Sequence, residues 1–112
     1  MEAQKVQILV DGCRANDRIA QRQVYDAYKN AMYSVCLRIC ANQDDAKDAL
    51  QEGFIEVFKC IHAFRGESTL GAWIKTIMAR KALRKLRKLS FEPESKAVDE
   101  VVVFEDDLSG EE

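Results

Sequence analysis

Residues 44–58 read DDAKDALQEGFIEVF, a stretch that combines regularly spaced apolar residues with several acidic ones. Its apolar residues recur at spacings of three and four, which places them on one face of an α-helix. The pattern predicts a helix over roughly 45–62, and the acidic residues at its start favour Asp44 or Asp45 as the capping residue. The positions on its apolar face are Ala46, Leu50, Phe54, Val57 and Ile61.

A second helix is predicted upstream, over about 17–41. Asn16 or Asp17 can cap its first turn with a side-chain oxygen. Basic residues occupy the side opposite its apolar face, as expected of a helix that packs one face into a core. The positions predicted for its buried face are Ala20, Val24, Ala27, Tyr28, Ala31, Val35 and Ile39.

Two more helices complete the predicted fold. A short helix covers about 2–11, with Gly12 as its C-terminal cap. A last helix covers about 70–89, and Ser68 or Thr69 can cap its first turn. The chain has only five Gly and one Pro, too few for a β fold with many turns. We therefore predict an all-α protein, a compact helical bundle of about four helices.

Charge is divided unevenly along the chain. The net charge is −2, but residues 1–88 hold 16 Lys and Arg against 10 Asp and Glu, whereas residues 89–112 hold one Lys and 9 acidic residues. A basic body suits a polyanionic partner. We predict a helical domain over 1–89 and a disordered acidic linker or tail over 90–112.

The basic charge is concentrated in the last helix. Residues 75–88 contain seven Lys and Arg and no acidic residue, so this helix can neutralise several phosphates. Phe64 and Trp73 place aromatic rings next to these cations, where they could stack on unpaired bases. Packing in the core is an equally good interpretation of Phe64.

No catalytic constellation occurs in the sequence, so we expect no enzymatic activity and no cofactor. His62 is the only histidine, and no glycine-rich phosphate loop is present. A zinc or redox-sensing role stays open, because Cys36 and Cys40 lie four residues apart and Cys60 lies two residues from His62. We favour the interpretation that these three cysteines and Cys13 pack in the core as small apolar residues, because their spacing does not match a zinc ribbon or finger.

The chain shows no sign of membrane insertion or secretion. No run of about 18 apolar residues occurs, and the N-terminal MEAQKVQILVDG lacks the apolar core and cleavage site of a signal peptide. We therefore expect a cytoplasmic protein with reduced thiols and no membrane partner.

These motifs together resemble region 2 of bacterial RNA polymerase sigma factors, and among them the extracytoplasmic-function (ECF) subfamily. Residues 44–58 resemble the family signature D-A-x-D-x-x-Q-E-x-F-x-x-x-F. The segments on either side of this signature are also similar to those of the family and occur in the same order. They are residues 20–28 before it, and residues 64–70 and 73–77 after it. The resemblance covers about residues 5–89.

The resemblance implies a domain that docks on core RNA polymerase and recognises and melts the minus-10 promoter element. In the family, an Asp-x-x-Gln-Glu face docks on the clamp helices of the polymerase β′ subunit, a loop captures a flipped base, and a basic helix follows the DNA. The implied polymerase-binding residues are Asp48, Gln51 and Glu52, with Phe58 at their rim. The implied DNA-binding residues are Phe64, Arg65, Ser68, Thr69, Trp73, Lys75, Arg80, Lys81, Arg84 and Arg87.

The implied partners are core RNA polymerase and promoter DNA, including its single-stranded minus-10 region, and an anti-sigma factor is a further candidate. The family commonly has asparagine at the position of Arg80, so a contact here is expected to shift toward phosphate. The family's second domain, the helix-turn-helix region 4, is expected to be absent, since nothing after residue 89 can form it. An alternative function is a polymerase-binding regulator or decoy whose acidic tail mimics DNA.

Overall fold

Four α-helices and one turn of 3₁₀ helix form the described part of the chain, which is residues 3–90 of a computed structural model, with side chains described to residue 88. The predicted all-α bundle of about four helices is confirmed. The expected acidic tail lies, apart from Ser90, outside the described residues. The helices are α1 (Ala3–Arg14), α2 (Arg18–Cys40), α3 (Gln43–Cys60) and α4 (Leu70–Ser90), and the 3₁₀ turn Ile61–Ala63 follows α3.

Side-chain caps set the starts of α2 and α4. The Asp17 carboxylate accepts a hydrogen bond from the Ile19 backbone N–H at 2.9 Å, which satisfies one of the free donors in the first turn of α2. The Thr69 hydroxyl accepts one from the Ala72 backbone N–H at 3.1 Å and does the same for α4. In both cases the cap is one of the two residues that the sequence predicts.

The cap of α3 differs from the prediction. Ala41 ends α2 in a left-handed conformation, with φ 55°, and its N–H bonds to the Leu37 carbonyl at 2.7 Å. Asn42 then caps α3, because its side-chain oxygen accepts the Asp45 backbone N–H at 2.9 Å. The predicted capping by Asp44 or Asp45 was therefore wrong. Both lie inside the first turn of α3, where the helix dipole stabilises their charge.

The end of α1 is also corrected. The helix runs on to Arg14, so Gly12 lies within it and does not cap it. A Cβ atom added at Gly12 would lie 2.6 Å from the Cβ of Ala20, on α2. Gly12 is therefore required by the close approach of two helices, a reason that the local sequence does not reveal.

We expect the substitution Gly12→Ala to lower the free energy of unfolding by about 1–3 kcal/mol, the usual range for overpacking, although alanine is the better helix former by about 1 kcal/mol. Urea unfolding of both proteins measures the difference. The second-site change Ala20→Gly should recover part of the loss. Unchanged or higher stability of Gly12→Ala alone would show that the two helices separate there at little cost.

The core lies where α2, α3 and α4 meet, with α1 packed on α2. On α2 the buried residues follow a spacing of four, so the stripe drifts around the helix axis. Ala27 and Ala31 were predicted to be buried but are exposed, because the buried positions of α2 turn gradually around the helix and leave both alanines on the solvent side. The buried positions of α2 are Ala20, Val24, Tyr28, Met32, Val35, Cys36 and Cys40.

Three of the four cysteines are part of this core. Cys13, Cys36 and Cys40 are buried, and the Cys40 thiol donates to the Ala82 carbonyl at 3.6 Å. Burial raises the pKa of the Cys13 and Cys40 thiols, so both stay protonated. Within residues 3–90, no three His, Cys, Asp or Glu side chains are grouped so that they could hold a metal ion. No helix in the described range is long and apolar enough to cross a membrane.

Candidate nucleic-acid and protein interface

A pocket lies where the loop after the 3₁₀ turn meets the start of α4. Gly66 turns this loop with a φ of 77°, a conformation that side chains other than glycine rarely adopt. The pocket has a volume of about 250 Å³, and one of its walls is aromatic. The residues lining it are Ala63, Phe64, Arg65, Glu67, Ser68 and Trp73.

The two aromatic residues of the pocket have different roles. The rings of Phe64 and Trp73 are tilted by 54° with centroids 5.4 Å apart. Phe64 is only 7% exposed, so it supports Trp73 from the core, and the expectation that Phe64 offers a stacking face of its own is corrected. Trp73 is half-buried and keeps part of its ring accessible. The Arg14 guanidinium donates to the Phe64 carbonyl, which ties the loop to α1.

The predicted polar residues of the loop differ in what they already bind. Arg65 and Ser68 are exposed, and the Ser68 hydroxyl donates to the Thr69 carbonyl at 3.2 Å. Thr69 is exposed but uses its hydroxyl oxygen to cap α4. Of these three residues, only Arg65 and Ser68 line the pocket.

A row of arginines continues from the pocket along α4. Trp73, Arg80, Arg84 and Arg87 follow one another at spacings of seven, four and three, so they share one face of the helix. Arg80 and Arg84 are exposed, and no acidic side chain in the described part of the chain forms an ion pair with either. Arg87 is half-buried. We call Arg80 and Arg84, with the exposed Lys88, the open row.

Lys75 does not belong to this surface. It is 2% exposed, although the sequence predicts a DNA contact for it. Its neighbour Ile74 and also Met78 are fully buried, because the first turns of α4 pack against both α2 and α3. In this position Lys75 is not available to bind a phosphate, and its predicted role is corrected.

The predicted docking residues share one exposed face of α3. Asp48, Gln51 and Glu52 are all exposed. Phe58 is half-buried and stacks on the core residue Phe54, with ring centroids 6.1 Å apart. The structure thus brings these predicted residues together on one side of the bundle.

Ile55 is a residue of this face that sequence reasoning missed. It is 66% exposed, and it follows Gln51 by four residues and Glu52 by three, so it lies beside both on the helix. An exposed isoleucine surrounded by polar groups resembles the apolar centre of a protein interface. The signal in the sequence was its helical spacing from the Gln-Glu pair combined with its place off the core face.

Acidic residues of α3 also face lysines of α4. The Lys85 Nζ donates to the Glu52 Oε2 at 2.9 Å, and the Lys81 Nζ lies 3.9 Å from the Glu56 Oε1. The hydrogen bond from Lys85 lowers the pKa of Glu52, and the same bond raises the pKa of Lys85. Lys81 is therefore a paired cation. Lys85 was not among the residues that the sequence predicted to bind DNA.

The Glu56 carboxylate has a second neighbour on its own helix. The Cys60 thiol donates to the Glu56 Oε2 at 3.3 Å, and this bond raises the pKa of Cys60. Cys60 is thus held as a thiol beside the two ion pairs and is the least buried of the cysteines. The zinc site considered for Cys36, Cys40, Cys60 and His62 does not form in this arrangement.

Comparison with known proteins places this arrangement in context. The family model described as Sigma-70 region 2 matches residues 24–92. The chain is similar to the ECF RNA polymerase sigma factor SigW of Bacillus subtilis, with 28% identity over 75 residues, 67% of this chain and 40% of that protein. It is also similar to the ECF RNA polymerase sigma-E factors of Haemophilus influenzae and of Escherichia coli K12. The Haemophilus influenzae protein is 30% identical over 76 residues, which is 68% of this chain and 40% of that protein. The Escherichia coli protein is 27% identical over 95 residues, which is 85% of this chain and 49% of that protein. The chain therefore spans less than half the length of these relatives.

Proposed function

Because the chain belongs to the Sigma-70 region 2 family, as the match over residues 24–92 shows, we propose that it docks on core RNA polymerase and captures the unpaired minus-10 strand of a promoter during transcription initiation. In this proposal the chain has no enzymatic activity, and the polymerase performs the chemistry. The sigma factors named above are its relatives over this domain.

One observation carries the nucleic-acid part of the proposal: the aromatic pocket and the open row lie on the same face of α4. Trp73 lines the pocket, and Arg80 and Arg84 follow it along the helix without acidic partners among the described residues. Single-stranded nucleic acid is bound by this combination, since bases stack on aromatic rings and cations follow the phosphates.

Strand opening in this proposal is driven by binding energy. Extruding a base from a duplex costs a few kcal/mol, and stacking on an aromatic side chain returns about 1–3 kcal/mol per base. The Trp73 ring would receive the base, and Arg65 and Ser68 at the rim of the pocket offer hydrogen bonds to its edge. Phosphate contacts from Arg80 and Arg84 would add an affinity that depends on salt.

The polymerase part of the proposal rests on the exposed face of α3 that carries Asp48, Gln51, Glu52 and Ile55, which we call the docking face. The carboxylates of Asp48 and Glu52 share this side of the helix with two apolar residues, the exposed Ile55 and the half-buried Phe58. This face suits a basic partner surface that offers an apolar contact between its charges, because charge complementarity speeds and orients docking while the apolar residues supply affinity. The β′ clamp helices are the partner that we assign to it.

A direct test measures two affinities of the same chain, one for purified core polymerase and one for a single-stranded minus-10 oligonucleotide. Both should be measurable, and the oligonucleotide should change the fluorescence of Trp73, the only tryptophan. Binding to polymerase without any binding to the oligonucleotide, even in the polymerase complex, would favour the regulator or decoy instead. Absence of both would contradict the proposed function.

We expect Ile55→Ala to weaken binding to core polymerase about tenfold, because truncating an apolar residue at the centre of an interface costs about 1–2 kcal/mol. Ile19→Ala is the matched control, since Ile19 is 71% exposed on α2, far along the chain from the docking face. The two variants should unfold at nearly the same temperature. Equal binding by both would remove Ile55 from the docking face.

A further inference from the structure

Two ion pairs connect the proposed docking helix with the proposed DNA-binding helix. Glu52 and Glu56 lie one turn apart on α3, and Lys85 and Lys81 lie one turn apart on α4. The pairs Glu52–Lys85 (2.9 Å) and Glu56–Lys81 (3.9 Å) therefore form a ladder with two rungs between the helices. We call this arrangement the α3–α4 ladder.

The ladder divides the cations of α4 into two groups. Arg80, Arg84 and Lys88 form the open row, in which the side chains are exposed. Lys81 and Lys85 form a covered row on the adjoining flank, with side chains only 19% and 20% exposed and each beside a carboxylate. In the free chain the covered row is thus neutralised by α3, although it lies next to the open row on the same helix.

The carboxylates of the ladder are more accessible than its lysines. The side chains of Glu52 and Glu56 are 49% and 39% exposed, so a basic partner that approaches α3 can reach them. An ion pair with an accessible carboxylate contributes little to stability, so a competing cation can displace the lysine at little cost. Glu52 is the rung that also belongs to the docking face.

We propose that Lys81 and Lys85 are a second phosphate-binding row, masked in the free chain by Glu56 and Glu52 and released when a basic partner surface takes these two carboxylates. This inference rests on the proposed function for the docking role of Glu52. Once released, the Lys85 ammonium extends the open row sideways and binds a further phosphate of the strand.

Such competition couples the two binding events. A partner that binds Glu52 raises the affinity of α4 for phosphate, and by linkage a strand that binds Lys85 leaves Glu52 free for the partner. The chain therefore binds single strands weakly when it is alone and more tightly on its partner, without any rearrangement of the bundle.

The test uses the full chain and a short oligothymidylate, with affinity measured over a series of salt concentrations. Glu52→Gln removes the charge that masks Lys85, so the plot of log affinity against log salt should become steeper by about 0.7, the slope of one phosphate contact to a single strand. Affinity should rise about fivefold at about 0.1 M salt. Adding Glu56→Gln should produce a second step of similar size.

Two further variants separate release of a lysine from a general change of charge. Asp26→Asn also removes a carboxylate from two ion pairs, those with Arg22 and Lys29 on α2, and should leave the slope unchanged. Lys85→Met in the Glu52→Gln chain should return the slope to the wild-type value. Thermal unfolding confirms that each variant is folded at the temperature of the measurement.

Equal slopes for Glu52→Gln and Asp26→Asn would overturn the inference, and so would a lack of strand binding by the doubly neutralised chain at low salt. Neither result decides the polymerase part of the proposed function, which is judged by polymerase binding of the wild-type chain. Conversely, a chain that fails to bind polymerase but shows the steeper slope would retain the masked row and lose only its assigned partner.

Discussion

Replacing Gln51 and Glu52 together with alanine is expected to weaken binding to core RNA polymerase about 100-fold. Both side chains are exposed on the proposed docking face of α3, and Glu52 carries a full charge, since its pKa is lowered by the hydrogen bond from Lys85. Truncating a residue that hydrogen-bonds to a charged partner costs about 1.5–3 kcal/mol, and the double change removes two such contacts. Titration of labelled chain with purified core polymerase measures the loss.

The matched control is Gln23→Ala with Asp26→Ala, which removes one amide and one carboxylate from an exposed part of α2. This control should bind polymerase like the wild type. Both double variants should keep their helical circular dichroism, because none of the four positions is buried. Undiminished binding by the Gln51 and Glu52 variant would place the docking face elsewhere on the bundle.

Trp73→Ala is expected to weaken binding of the single-stranded minus-10 oligonucleotide about 10- to 100-fold, corresponding to the loss of about 1–3 kcal/mol of base stacking. The ring of Trp73 lines the pocket and packs on Phe64. Its removal takes away the stacking surface that the pocket offers. Anisotropy of a labelled oligonucleotide measures the affinity, and binding to core polymerase should stay within about twofold.

Trp73→Ala also exposes Phe64, so loss of binding could follow from a damaged fold. Trp73→Leu fills most of the same space without an aromatic face, and it should lose strand binding while keeping its unfolding temperature closer to that of the wild type. Trp73→Phe keeps a ring and should retain most of the affinity. Normal strand binding by the leucine variant would exclude Trp73 as the stacking residue.

Glu52 offers an additional check because its two proposed roles predict effects of opposite sign. Neutralising it should weaken docking on polymerase and strengthen binding of a single strand by the free chain. A residue that merely stabilised the fold would shift both affinities in the same direction. The two measurements on Glu52→Gln therefore separate the docking role and the masking role from a structural one.

The helices, the caps of α2 and α4 and the polar face of α3 that we propose for docking follow from the sequence alone. These features depend on residues within about four positions of one another: the apolar spacing of α3, the side chains of Asp17 and Thr69, and the polar face that holds Gln51 and Glu52. Such short-range patterns can be read without knowing which helices meet. The misplaced cap of α3 was an error of the same local kind, because Asn42 competed with two acidic neighbours.

Contacts between helices, which the sequence does not reveal, set which cations of α4 are available. Residues 75–88 contain seven basic residues and no acidic one. In the folded chain, however, Lys85 pairs with Glu52, which lies 33 positions away in the sequence, and Lys75 is buried. The close approach at Gly12 has the same origin, since its cause is a side chain on another helix. The local spacing of residues predicts which face of a helix is apolar, but it does not predict which side chains of another helix will contact that face.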